Sequence, residues 1–278
     1  MSRVDLHIHS NVSDGRLSPE AVVRESARRG LAVIALTDHD NVGGIAPALS
    51  AAQAFPNLRL IPGVELSTDV PEGEVHILGY FIDYASEELA GRLARMRSSR
   101  LERAQAMIGK LAGLGVSISW PRVLELAGGG SVGRPHIAQA MLEKGYIGSL
   151  KEAFTSYLGR GGPAYVERRK LAPEAAVELV RRASGLPVLA HPFTVSDPEA
   201  LVAGLLAAGL AGIETYYKDY GPEEVDRLLA LARRHGLLPT GGSDFHGLDL
   251  DNETAIGGVS VPESAAEALI LAASRRPG

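Results

Sequence analysis

Two histidines stand two residues apart in Val4-Asp5-Leu6-His7-Ile8-His9-Ser10. On an extended strand that spacing turns both imidazoles to one face, as two ligands of one ion require. Residues of the same kinds follow other apolar runs: Thr37-Asp38-His39-Asp40, Glu65 in Gly63-Val64-Glu65-Leu66-Ser67, His191 after Ala190, and Ser243-Asp244-Phe245-His246. Asp14 is close enough to His9 along the chain to fold back over the same rim, while His76 fits less neatly because it precedes its apolar run. Taken singly, each has a plain structural reading. A lone histidine is commonly a core or surface residue, Asp14 a turn aspartate, and Asp38, Ser67 and Glu214 turn or cap residues. As a set, they form a constellation of imidazoles and carboxylates fit for divalent metal.

Cysteine is absent. Disulfides, thiolate catalysis and zinc fingers are therefore excluded, and any metal must bind through histidine and carboxylate, a donor set suited to Mn, Fe or Zn. Adjacent ions of that kind lower the pKa of water, polarise a phosphoryl oxygen and shield the leaving oxygen. Hydrolysis by metal-held hydroxide then needs no protein nucleophile.

The elements that must position these residues are legible as seven short apolar runs, at 4–8, 32–36, 58–64, 75–82, 186–190, 212–216 and 237–240, which read as buried strands of an α/β protein. Helix starts carry a recurring Pro-Glu pair, at Pro19, Pro173, Pro198, Pro222 and Pro262, where proline suits the first turn and the carboxylate suits the positive end of the dipole. Ser18 and Asp197 are the expected N-caps. The alternation favours a parallel sheet closed into a barrel, with the polar residues collected at one end. It breaks near residue 86, where Leu89, Leu93, Met96, Ala104, Ile108 and Leu111 recur at helical spacing. The expected division is a barrel made of 1–85 and 166–278, interrupted by a helical insertion at 86–165.

The motifs His7-Ile8-His9, Thr37-Asp38-His39-Asp40, Glu65 with His76 and His191 downstream, and Ser243-Asp244-Phe245-His246 resemble those of the PHP (polymerase and histidinol phosphatase) superfamily. The resemblance implies a distorted seven-stranded (β/α)7, TIM-like barrel with two or three divalent ions, Mn foremost. It implies His7, His9, Glu65 and Asp244 around one ion, Glu65, His76 and His191 around a second, and Asp14, His39 and His246 around a third. Asp14, His39, Asp40 and His246 are the candidate catalytic groups. Within the superfamily, Gly133-Arg134-Pro135-His136 and Gly159-Arg160-Gly161-Gly162-Pro163-Ala164-Tyr165 resemble the branch that removes phosphate from nucleoside 3',5'-bisphosphates and trims short RNA from its 5' end. A lid carrying Arg134, His136 and Arg160 would clamp a second phosphate by charge-assisted forks. The alternative is that both arginines face solvent, His136 merely opens a helix, and Tyr165 packs rather than stacking a base.

The series Arg92, Arg95, Arg97, Arg100 and Arg103 is interleaved with apolar positions and reads as a solvated helix face rather than an RNA track. His235 reads as a favourable charge at a helix C-terminus and is left outside the site. With 278 residues, 45% hydrophobic, the chain can bury one sizeable core. No run of eighteen apolar residues and no basic leader before an apolar stretch occur, so a cytoplasmic protein with no membrane contact is expected. A net charge of -5 argues against coating duplex DNA and leaves nucleotide or short RNA as the expected substrate. Competing readings are a phosphatase for another small ester such as histidinol phosphate, a metal-binding module without catalysis, and C–N hydrolysis, which also uses His-x-His on a barrel.

Overall fold

The computed structural model describes residues 3–70, 73–128, 130, 132–167, 171–248 and 253–276. Its order is β1 (Val4–Ile8), α1 (Pro19–Arg28), β2 (Val33–Leu36), α2 (Ile45–Ala52), β3 (Arg59–Val70), β4 (Gly73–Tyr80), α3 (Glu87–Gly113), α4 (Trp120–Leu126), α5 (Arg134–Glu143), α6 (Leu150–Ala153), α7 (Pro173–Arg182), β5 (Leu186–Leu189), α8 (Pro198–Leu206), β6 (Gly212–Tyr217), α9 (Pro222–His235), β7 (Leu238–Gly242) and α10 (Glu263–Ser274). Every Pro-Glu pair opens a helix, with Pro262 standing as the N-cap of α10. Ser18 and Asp197 cap α1 and α8 by accepting from Ala21 N and Ala200 N at 3.2 and 3.0 Å.

The strands lie in sequence order, each beside the next. β1, β2 and β3 run parallel, as do β5, β6 and β7, but β4 is antiparallel to both its neighbours. This corrects the expectation of an all-parallel sheet. A parallel crossover needs a dozen or more residues, and only two separate β3 from β4, so the chain can only turn back as a hairpin. The correction also explains His76. It lies inside β4, opposite Ser67 of β3, rather than ahead of its run.

The sheet closes through its first and last strands. Asp244 N donates to His7 O at 2.8 Å and His9 N to Phe245 O at 3.0 Å. A Cβ on Gly242 would lie 2.4 Å from His7 N, so glycine is what lets β7 approach β1 this closely. Tyr80, fully buried, donates its hydroxyl to Leu6 O at 2.9 Å across the barrel, which satisfies the one polar atom its ring brings inside.

α3 belongs to two cores. Leu89, Leu93 and Met96 pack with α7 and α8 residues such as Val177, Val180 and Val202 against the barrel. Ala104, Met107 and Leu111 pack instead with Val123, Ile137 and Met141 of the helical insertion. Arg97, Arg100 and Arg103 lie where one core gives way to the other. No helix among the described residues is long and apolar enough to cross a membrane.

Candidate metal centre

His7 and His9 are completely buried and share one face, while Ile8 between them turns into the core beside Val22 and Leu36. Glu65, in the middle of β3, is the hub. Its Oε2 lies 3.1 Å from His7 Nε2, 3.1 Å from His9 Nε2 and 3.2 Å from His39 Nδ1. Its Oε1 lies 2.7 Å from His76 Nδ1 and 3.1 Å from His191 Nε2. Asp244 Oδ1 stands 3.4 Å from His7 Nε2 and 3.1 Å from His9 Nε2. Asp14 Oδ1 is 3.4 Å from His246 Nε2, and the His9 and His246 rings stack with centroids 4.1 Å apart. His191 and Asp244 hold positive φ, 25° and 48°, which turns the chain sharply just where each side chain must face the rim.

Three groups of donors converge closely enough to share an ion: His7, His9, Glu65 and Asp244; His39, Glu65 and His76; and His9, Asp14, His39 and His246. An ion bonded at about 2.0–2.2 Å places neighbouring ligand atoms about 3.0–3.5 Å apart, and the spacings of His7 and His9 from Glu65 and Asp244 fall in that range, while His76 stands closer to Glu65, at 2.7 Å. The first group has the composition that the resemblance implies. In the other two, His39 joins Glu65 and His76, and His9 joins Asp14 and His246. His191 reaches Glu65 but stands outside the three groups.

His9 stands apart from the hydrogen bonds that join Glu65 to His7, His76 and His191. Among the described residues, neither ring nitrogen of His9 makes a hydrogen bond, although both are buried, and a buried polar atom without a partner calls for one. Burial by itself would raise Glu65, yet His39, His7 and His76 hold it well below the usual carboxylate range. Asp244 behaves alike: burial raises it, and His7 and His246 bring it far down. Desolvation takes His39 down to about 3. Burial works the same way on His246, but Asp14 and Asp244 push it up to about 10. Ionised carboxylates and crowded imidazoles in a dry pocket are the electrostatics that bound divalent metal satisfies.

A second layer of buried and half-buried groups fixes the first. Glu214 Oε1 is 2.9 Å from His7 Nδ1 and its Oε2 accepts from His191 N at 2.7 Å, so one carboxylate sets the tautomer of one histidine and the backbone of another. Tyr217 Oη and Lys218 Nζ donate to Asp244 Oδ2 at 2.8 and 3.0 Å, leaving Oδ1 toward the histidines. Asp38 accepts from Ser10 N, Ser10 Oγ and Ser13 Oγ, each at 2.7 Å, and so pins the loop that carries Asp14. Tyr217 and Lys218 were not expected from sequence, where only their place after Glu214 on the sixth strand hinted at the site. Glu214→Gln is expected to weaken metal binding about 10–100-fold while leaving the fold intact. Calorimetric titration of the metal-free protein with Mn reads this out, and unchanged affinity would refute it.

A cavity of about 210 Å³ opens over the centre, lined by Asp14, His39, His76 and His246 on one side. Arg100, Arg103 and Arg134 face them from the insertion side. Arg100 donates from Nε to Asp40 Oδ2 at 2.7 Å and from Nη2 to Ser67 Oγ at 2.5 Å, while Arg97 Nη1 donates to Asp40 O at 3.1 Å. Arg103 donates to Val166 O and lays its guanidinium 5.1 Å over the Tyr165 ring. Arg97, Arg100 and Arg103 thus turn inward, contrary to the expected solvated face, and only Arg92 and Arg95 of that series are exposed. Tyr165 packs on an arginine.

Of the three expected phosphate-binding residues, Arg134 alone lines this cavity. His136 is buried and accepts from Gly133 N through Nδ1 at 3.0 Å, capping α5. Arg160 is exposed, with Nη1 3.3 Å from Val70 O at the end of β3. Asp40 offers its oxygens to Arg100 and to Ser67 N, at 2.7 and 2.9 Å, and so works on the cavity through Arg100.

A barrel with clustered imidazoles and carboxylates at its rim, under a basic cavity, defines a metal-dependent hydrolase. The chain belongs to the PHP family: the profile of the PHP domain matches residues 5–146. It is 36% identical over 251 residues to the 3',5'-nucleoside bisphosphate phosphatase of Chromobacterium violaceum, covering 88% of each chain. It is also 36% identical to the 5'-3' exoribonuclease Rnm of Escherichia coli, over 87% of this chain and 84% of that one. Among solved structures, a Bifidobacterium adolescentis protein classed as a metal-dependent phosphoesterase superposes with a TM-score of 0.87, at 29% identity over 96% of this chain and 95% of the other. An amidohydrolase of Chromobacterium violaceum with bound sulfate and no metal superposes at 0.86, with 34% identity over 93% and 91%. The chain is a phosphoesterase of this family.

Proposed function

We propose that the protein hydrolyses nucleotide phosphate esters, taking one phosphate from nucleoside 3',5'-bisphosphates and trimming short RNA from its 5' end. The observation that carries this reading is the placing of Arg100, Arg103 and Arg134 across one cavity from the metal-ligand cluster. A substrate with two phosphates fits such a site, one phosphate at the ligands and the other on the guanidinium groups. A mono-ester such as histidinol phosphate would bring no second phosphate to the guanidinium groups. The bisphosphate phosphatase and the exoribonuclease named above support this reading, and the sulfate bound in the Chromobacterium violaceum amidohydrolase structure is consistent with anion binding.

His7, His9, Glu65 and Asp244 would hold one ion, Glu65 with His39, His76 and His191 a second, and Asp14, His9, His39 and His246 a third. Two or three Mn ions are the proposed complement, with Fe or Zn as alternatives suited to the same donors. When bound, they would supply an activated water and charge stabilisation at the phosphoryl group. The chain's own residues do the rest. Arg100, held by Asp40, orients the second phosphate, while Asp14 and His246 line the cavity wall as ligands and the leaving oxygen takes its proton from water.

Phosphate release from adenosine 3',5'-bisphosphate, AMP, histidinol phosphate and a 5'-phosphorylated RNA trimer, with Mn added or chelated, tests the reading. Mn-dependent release from the bisphosphate or the RNA is expected. Release from histidinol phosphate alone would transfer the assignment to that ester.

A further inference from the structure

Glu74 is an acidic residue among the guanidinium groups that line one side of the cavity. It precedes His76 by two positions on β4, so the two side chains project from the same face of the strand. Its Oε2 accepts from Arg134 Nη2 at 2.5 Å, and both side chains line the cavity. Arg134 is steadied on its other side by the Phe154 ring, 5.6 Å from the guanidinium carbon. The charge of Glu74 also bears on Arg100 and Arg103. Asp40 is already committed to Arg100. Glu74 is therefore the carboxylate among the cavity's lining residues that offsets the remaining guanidinium groups, and it occupies the kind of place a phosphate would take.

We propose that Glu74 is an internal stand-in for the substrate's second phosphate, holding Arg134 in the empty cavity and competing with the bound phosphate for it. A phosphate dianion brings more acceptor oxygens and more charge than one carboxylate, so it displaces Glu74. Breaking the Glu74–Arg134 pair subtracts from the net affinity, and the same subtraction speeds departure of the product. Glu74 is thus a specificity and turnover determinant rather than a ligand or a proton donor. The inference rests on the reading of the arginines as a phosphate cradle.

Glu74→Gln keeps the length of the side chain and an acceptor oxygen but removes the charge. Titration of the Mn-loaded protein with inorganic phosphate and with AMP is expected to show binding about tenfold tighter in this variant. Steady-state kinetics on the bisphosphate should show KM and kcat falling together, because release has slowed. If Glu74 instead merely orients Arg134, the variant binds both probes more weakly and the proposal is overturned, as it is by unchanged binding. Arg134→Ala separates the two levels. Weaker phosphate binding in Arg134→Ala without tightening in Glu74→Gln would sink the stand-in role alone, whereas no change in Arg134→Ala would remove the cradle itself.

Discussion

Glu65→Ala is expected to strip the protein of its metals and of its activity, by a factor on the order of 10³ or more. No other residue serves the centre in so many directions: its two oxygens face His7, His9, His39, His76 and His191 within 3.2 Å. Removing it takes a ligand from two of the three donor groups at once. It also leaves the buried imidazoles without the charge that counterbalances them. Metal content after dialysis against Mn, alongside phosphate release from the bisphosphate, checks the outcome. A variant that keeps a full complement of ions and half its rate would show that the histidines and Asp244 suffice, and the hub assignment would fall.

Arg100→Ala is expected to damage both stability and substrate binding. Asp40 is fully buried, and its partner's side chain is 14% exposed. Taking the guanidinium away removes the positive charge that the Asp40 carboxylate faces in a low dielectric, at a cost of about 2–4 kcal/mol, somewhat under the range for fully buried pairs because water reaches this one. Urea denaturation measures that cost. Arg100→Ala combined with Asp40→Ala should recover part of it, since no charge is then left alone. Binding of the bisphosphate should weaken in both variants, because the donor is missing in both. A loss below about 0.5 kcal/mol in the single variant, the range of ordinary surface substitutions, would mean that Asp40 finds another partner.

The legible parts of this molecule were those whose signal is local. His7 and His9 announce a strand by their spacing, and the Pro-Glu pairs announce helix starts because proline and a carboxylate each suit the first turn for separate reasons. The gathering of His39, His191 and Asp244 followed from strand ends sharing one rim, whereas Glu65 lies within β3, which runs on past the expected end to Val70. Less was legible where partners come from afar. The reversal of β4 depended on the brevity of its link to β3. Glu214, taken singly, has the plain reading of a turn or cap residue, and only the fold brings His7 and the His191 backbone to it. Arg100 does carry a signal in the sequence: it falls four residues after Met96 and four before Ala104, in the stripe of buried positions on α3, where a solvated arginine has no place. Arg160 and His136 show the converse. Their motifs resemble a phosphate clamp, yet one rests on the end of β3 and the other caps a helix.

The seam between β1 and β7 bears on how the enzyme is made. Ser243 N is tied to Asp5 Oδ1 across 238 positions of chain, and the first donor group draws on both flanks of that seam. On the ribosome, His7 and His9 emerge long before Asp244, and contacts so distant in sequence are slow to form. A nascent chain can therefore offer an ion only part of its coordination. Full affinity arrives with the last strand, and from then on the ion stabilises the closed barrel over every unfinished form by mass action. Metal uptake in this architecture would then double as an inspection step, favouring chains that have been synthesised through Asp244 and correctly sealed.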